Sequence, residues 1–123
     1  VLIAGDSRNE ASQAVRAAME QLTAADNVSV AIVDPHASTH SSGEEPGADV
    51  AAFLARHGVR VSVNVLASGG RAVADVLRQH ATDIGADLIV MGAYGHSRVR
   101  EWIFGGVTRS MLEQTAVPLM MTR

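Results

Sequence analysis

The 123-residue chain contains neither cysteine nor lysine. The first absence excludes disulfides, thiolate metal sites and a cysteine nucleophile. The second excludes a P-loop lysine and a Schiff-base lysine. An excess of positive charge is missing as well. Ten arginines stand against thirteen Asp and Glu, for a net charge of −3, and no basic run gives a nucleic-acid partner any support. No apolar stretch approaches the roughly 20 residues that span a bilayer, and no signal-peptide pattern is present. No membrane is therefore expected as a partner, and the expected location is the cytoplasm.

What is present is an ordinary folded composition, 47% hydrophobic and 19% charged. A chain of this length buries roughly two-thirds of its unfolded surface, so it needs no metal or disulfide merely to fold. A single domain is expected over residues 1–123. The chain opens "VLIAGD", without methionine and already in strand. That is expected of a domain excised from a longer protein or of a chain whose true start is missing.

Five short apolar runs alternate with segments of helical period. "VLIAG" is the first strand, and Asp6-Ser7-Arg8-Asn9 after it has the composition of a turn and cap. Ala11, Ala14, Val15, Ala18, Met19 and Leu22 then recur at three and four residues, a helical face. "VSVAIVD" (28–34) is a β-branched buried strand, with Asp34 closing a turn before Pro35. A polar loop over 35–47 leads to the helix "ADVAAFLARHG", with Gly58 at its C′ position. "VRVSVNVL" (59–66) alternates as an edge strand does. "ASGG" then enters a helix whose face carries Val73, Val76, Leu77, Ala81 and Ile84. "ADLIVMG" and "VPLMMT" (117–122) are strands four and five. Such alternation predicts an α/β domain: an open, doubly wound parallel sheet of five strands with about four helices on its two faces. Ligands of such sheets bind beyond the carboxyl ends of the strands. If strands one and four are neighbours, Asp6 and Gly92 border one crevice.

"GAYGHSRVREWIFGGVT" (92–108) starts at that end of strand four. Gly105 and Gly106 precede a segment with Val107, Met111 and Leu112 at helical spacing. A helix start offers unpaired N–H groups and partial positive charge to an anion. Glycine lets a phosphate reach that backbone with no Cβ in the way. Gly92 and Gly95 offer the same freedom across the crevice, and Arg98 or Arg100, in the nine residues between Gly95 and Gly105, can pair with phosphate oxygens. The spacing is neither a Walker A motif nor a Rossmann fingerprint, and glycine pairs before helices are often only turns.

"DLIVMGAYGHSRVREWIFGGVTRSMLEQTAVPLMMTR" resembles the C-terminal half of a universal stress protein domain. In the ATP-binding branch of that family a glycine is followed by two residues, a glycine, nine residues, a glycine and then Ser or Thr. Gly92, Gly95 and Gly105 match this in identity and spacing. "GDS" resembles the family's early aspartate, and "VAIVD" its second strand. The resemblance implies strand order 3-2-1-4-5 and ATP or a related adenine nucleotide with Mg or Mn. It implies Asp6 at the ribose, the main chain near Ile32 at the adenine, and Gly92, Gly95 and Gly105 at the phosphates, to which the residues themselves add Arg98 and the main-chain N–H groups of Gly106, Val107 and Thr108. It also implies a homodimer, or a tandem pseudo-dimer with this chain as one half, joined through the last strand (117–122). Gly106 departs from the pattern, standing where Ser or Thr is wanted. Thr108 carries a hydroxyl two positions later.

Other candidates weigh less. His36 and His40 share a loop without an acidic partner at matching spacing, so no metal site is expected there. His96 and Ser97 lack an acidic orienting residue or nucleophile elbow. His57 and His80 read as surface residues near helix ends. Trp102, Ile103 and Phe104 read as a clamp holding the arch to the sheet, with Trp102 stacking on adenine as the sharper alternative. The first expectation is a stress-response regulatory module binding ATP between strands one and four. The second is a dimerisation scaffold of the same fold without nucleotide, which Gly106 favours. A slow ATP hydrolase comes last, because no general base is evident.

Overall fold

The structure, a computed structural model, describes residues 1–5, 14–34, 47–92, 107, 109–115 and 117–122. Its frame is five strands: β1 (Leu2–Gly5), β2 (Val28–Val33), β3 (Val61–Leu66), β4 (Ile89–Gly92) and β5 (Leu119–Thr122). They pair in parallel in the order β3-β2-β1-β4-β5, the topology that the resemblance implied. β3 and β5 are the two edges.

The inner strands β1, β2 and β4 are largely apolar because both faces are covered, whereas the edge strand β3 carries Ser62 and Asn64 and leaves Val65 exposed. Side chains alternate across a strand, and here the alternation sorts them into two cores. Ile3, Val28, Val30, Ile32 and Val90 lie in one core with Ala14, Val15, Ala18 and Leu22 from the first helical region and Val50 and Leu54 from the next. Leu2, Ala4, Ala31, Ile89 and Met91 lie in the other with Ala74, Leu77, Ala81, Val107 and Met111. The sheet is thus doubly wound.

Residues 14–17 are helical and lead through a turn at Ala18 into α1 (Met19–Ala24). The Ala18 N–H still reaches Ala14 and Val15 oxygens, and the Leu22 N–H reaches Ala18, so the helical path is carried through. α2 (Ala48–Arg56) ends in a Schellman motif. The Val59 N–H donates to Leu54 O and the Gly58 N–H to Ala55 O, both at 3.1 Å. Gly58 is at φ +76°, the left-handed turn that the sequence assigned to it. His57 Nδ1 donates to Phe53 O at 2.8 Å, covering another of the carbonyls a helix end leaves open. α3 (Val73–Ile84) covers the other face. Residue 107 and residues 109–113 are helical before β5.

Several expectations need correction. The strand ladders are shorter than the apolar runs. Val59, Val117 and Pro118 lie outside them, since proline has no N–H for a ladder and Val117 is held in a local turn by the Thr115 hydroxyl. Ile84 is 40% exposed, not part of the buried face of α3. It is the last residue of the helix, where Gly85 turns the chain. Leu112 is 61% exposed while Val107 and Met111 are buried. Each helical residue advances about 100°, which carries Leu112 off the stripe that Met111 occupies. His80 is not a surface residue at a helix end. It is half-buried within α3, with Nε2 shut off from solvent and without a hydrogen-bond partner among the described residues. Its place three and four residues after Leu77 and Val76 keeps it beside the buried stripe.

Candidate functional site

β1 and β4 are neighbours, and the segments that follow them pack on opposite faces. That is a topological switch point, where open α/β sheets hold their ligands. Gly5 ends β1 paired with Ile32 of β2, and Gly92 ends β4 paired with Thr122 of β5. Among the described residues the pairing between β1 and β4 stops one step earlier, at Ala4 with Met91. Gly5 and Gly92 therefore flank the mouth between the two strands.

The structure brings part of the expected site to this place. Gly92 is buried at the strand end. Val107, 8% exposed, is helical and shares a buried cluster with Ala4 and Met91. Ile32 stands at the carboxyl end of β2, but its side chain is 1% exposed within the α1–α2 core. Its main chain lies in the ladder, in register with Gly5 of β1 and Val65 of β3. Asp6, Gly95, Arg98, Gly105, Gly106 and Thr108 lie outside the described residues, as do Arg100, the histidine pairs and the aromatic cluster 102–104.

Asp34, read from sequence as a turn residue, does more. It adopts φ +49°, a left-handed conformation that aspartate tolerates better than most residues. Its N–H donates to Leu66 O at 2.9 Å. Its carboxylate accepts the Ser68 N–H at 3.0 Å and the Ser68 hydroxyl at 2.5 Å. The carboxyl ends of β2 and β3 are thereby tied together beside the crevice. No local pattern marks a partner 34 residues away. Asp34→Ala is expected to cost about 1–2 kcal/mol in urea unfolding, from the lost charged acceptor and the left-handed strain on alanine. Asp34→Asn, which keeps an acceptor and tolerates that conformation, should cost less. Equal losses for the two would show that the clamp contributes nothing.

A cavity of about 200 Å³ lies between residues 14–17 and α2, lined by Val15, Arg16, Asp49, Val50, Phe53 and Arg56. It is small beside the roughly 300–1,000 Å³ of ordinary ligand sites, so a nucleotide does not fit it. Among the described residues no group of three or more His, Asp or Glu is placed to hold a metal ion, and no helix is long and apolar enough to cross a membrane.

Comparison with known proteins agrees with this geometry. The model of the universal stress protein family matches residues 1–123. Universal stress protein Slr1230 of Synechocystis sp. PCC 6803 is 34% identical over 70 residues, which are 57% of this chain and 23% of that protein. The chain thus spans less than a quarter of that relative's length. The universal stress protein of Archaeoglobus fulgidus superposes with a TM-score of 0.76 at 21% identity, covering 99% of this chain and 96% of the other. A universal stress protein solved in complex with cAMP superposes at 0.67 and 17% identity, covering 99% and 94%.

Proposed function

The chain belongs to the universal stress protein family along its whole length, and on that premise we propose that it is a cytoplasmic stress-response module binding ATP or a related adenine nucleotide. The ligand occupies the mouth between β1 and β4. One observation carries the reading: the switch point falls at Gly92, with Val107 of the last helical segment buried in the cluster that also holds Ala4 and Met91. A structural neighbour that holds cAMP supports adenine nucleotides as the ligand class.

Gly92 fits the role because it ends its strand without a Cβ, so a ligand can approach the main chain closely. Main-chain groups at Gly92, Gly95, Gly105, Gly106, Val107 and Thr108 hold the phosphates, with Arg98 pairing their oxygens. Asp6 accepts from the ribose hydroxyls, and the Ile32 main chain meets the adenine. A triphosphate brings Mg or Mn with it, since the divalent ion offsets phosphate charge.

β5 is an edge strand, and an edge presents unpaired N–H and C=O groups that need a partner. A homodimer, or a tandem pseudo-dimer within a longer protein, forms through residues 117–122. A dimerisation scaffold without nucleotide is the second reading, favoured by Gly106 in place of a hydroxyl residue.

The test is thermal unfolding and calorimetry with ATP and magnesium. A ligand held only by the folded state adds about 2.7 kcal/mol at one hundred times its Kd, so the melting temperature should rise by several degrees. Gly106→Ser should tighten ATP by roughly ten- to a hundredfold, the worth of a hydroxyl bonded to a charged phosphate. No heat and no shift at millimolar ATP would leave the scaffold reading.

A further inference from the structure

Arg78, on α3, was not singled out by its sequence context. In the structure its side chain, 21% exposed, crosses to the last helical segment. Nη1 donates to Ser110 O and to Gln114 O, each at 3.1 Å. Both guanidinium nitrogens also lie 3.3 Å from Ser110 Oγ, and Nη1 is 3.8 Å from Met111 Sδ. On the other edge of the fork, Nη2 pairs with Asp75 Oδ1 at 2.5 Å, three residues back on α3.

Ser110 O already takes the Gln114 N–H at 3.0 Å, and Gln114 follows the last helical residue. The guanidinium thus adds a second donor to Ser110 O and supplies one to Gln114 O, just past the last helical residue. It also places positive charge at the end where the helix dipole is negative. One nitrogen, Nη1, serves both Ser110 O and Gln114 O, while Asp75 holds the other, Nη2, so the fork bridges α3 and the last segment. A lysine ammonium is a compact charge on a flexible stem and lacks that shape.

We infer that Arg78 is a positioning residue: it fastens the carboxyl end of the last helical segment to α3 and so fixes where the segment's start meets β4. The segment has two anchors. Val107 and Met111 are buried in the core, and Arg78 holds the end at Ser110 and Gln114. The consequence for ligand rests on the nucleotide reading above. The fastening itself does not.

Two measurements separate these. Hydrogen exchange without ligand should show the amides of residues 109–114 exchanging roughly tenfold or more faster in Arg78→Met, as loss of charged hydrogen bonds to carbonyls requires. Strands β1 and β2 should keep their protection, and Arg78→Lys should recover only part of the loss. Unchanged protection of 109–114 in Arg78→Met overturns the proposal. With ATP, Arg78→Met should bind roughly tenfold more weakly than wild type, by the same loss. Leu54→Ala, a destabilising change in the opposite core, should bind as wild type does when measured well below its melting temperature. ATP affinity unchanged in Arg78→Met, or reduced equally in Leu54→Ala, overturns the link to the site. Absence of ATP binding by the wild type removes the nucleotide reading and leaves the exchange result to decide the role of Arg78.

Discussion

Leu54→Ala should lose roughly 2–5 kcal/mol of stability, the range for truncating a buried leucine in a core that cannot fully collapse. Leu54 is 0% exposed and sits where α2 packs on β2 and the helix that follows β1. Its carbonyl accepts from His57 and Val59 at 3.0 and 3.1 Å, and the substitution leaves those bonds intact. The loss therefore reports packing alone. Leu112→Ala removes the same atoms from a side chain that is 61% exposed and should stay within about 0.5 kcal/mol of wild type. Urea unfolding of both variants, read at constant m, checks the pair. Similar losses for the two leucines would show that the cores are not arranged as described.

Gly47→Ala should be nearly as damaging, at roughly 2–4 kcal/mol, by adding left-handed strain to overpacking. Gly47 begins α2 at φ +81°, and an added Cβ would stand 2.9 Å from Ile32 Cδ1 and 3.1 Å from Val63 Cγ1. Ile32 is 1% exposed, so its terminal carbon has little room to retreat. Gly58→Ala is the matching control. It has φ +76° with nothing within 4 Å of the new Cβ and should cost only about 1 kcal/mol, the backbone strain by itself. The difference between the two, read from urea midpoints, is the steric part. A Gly47 variant no worse than its control would mean that β2 and β3 yield easily at that point.

Much of the fold was legible in one dimension. Short β-branched runs such as "VSVAIV" read as strands covered on both faces in a chain that alternates them with helical periods. Gly58 marked its helix end because a left-handed turn there admits few residues besides glycine. The candidate site was legible as a spacing of glycines, of which the described residues include Gly92, at the end of β4. Its misreadings share one cause. Ile84, Leu112 and His80 each sit on or beside a helical stripe, and periodicity describes a helix without its neighbours. Where the sheet ends, and how far round the helix the contact reaches, is not written in the period.

Local pattern thus determined which segments become strands and helices and which glycines can turn or approach a ligand, because those properties depend on side chains within a few residues. Tertiary structure alone decided that Asp34 clamps Ser68, that Arg78 holds Ser110 and Gln114, and that Leu54 is buried while Leu112 is not. Those contacts join residues more than thirty positions apart or depend on which face meets the sheet. They arise only once the strands have taken the order β3-β2-β1-β4-β5.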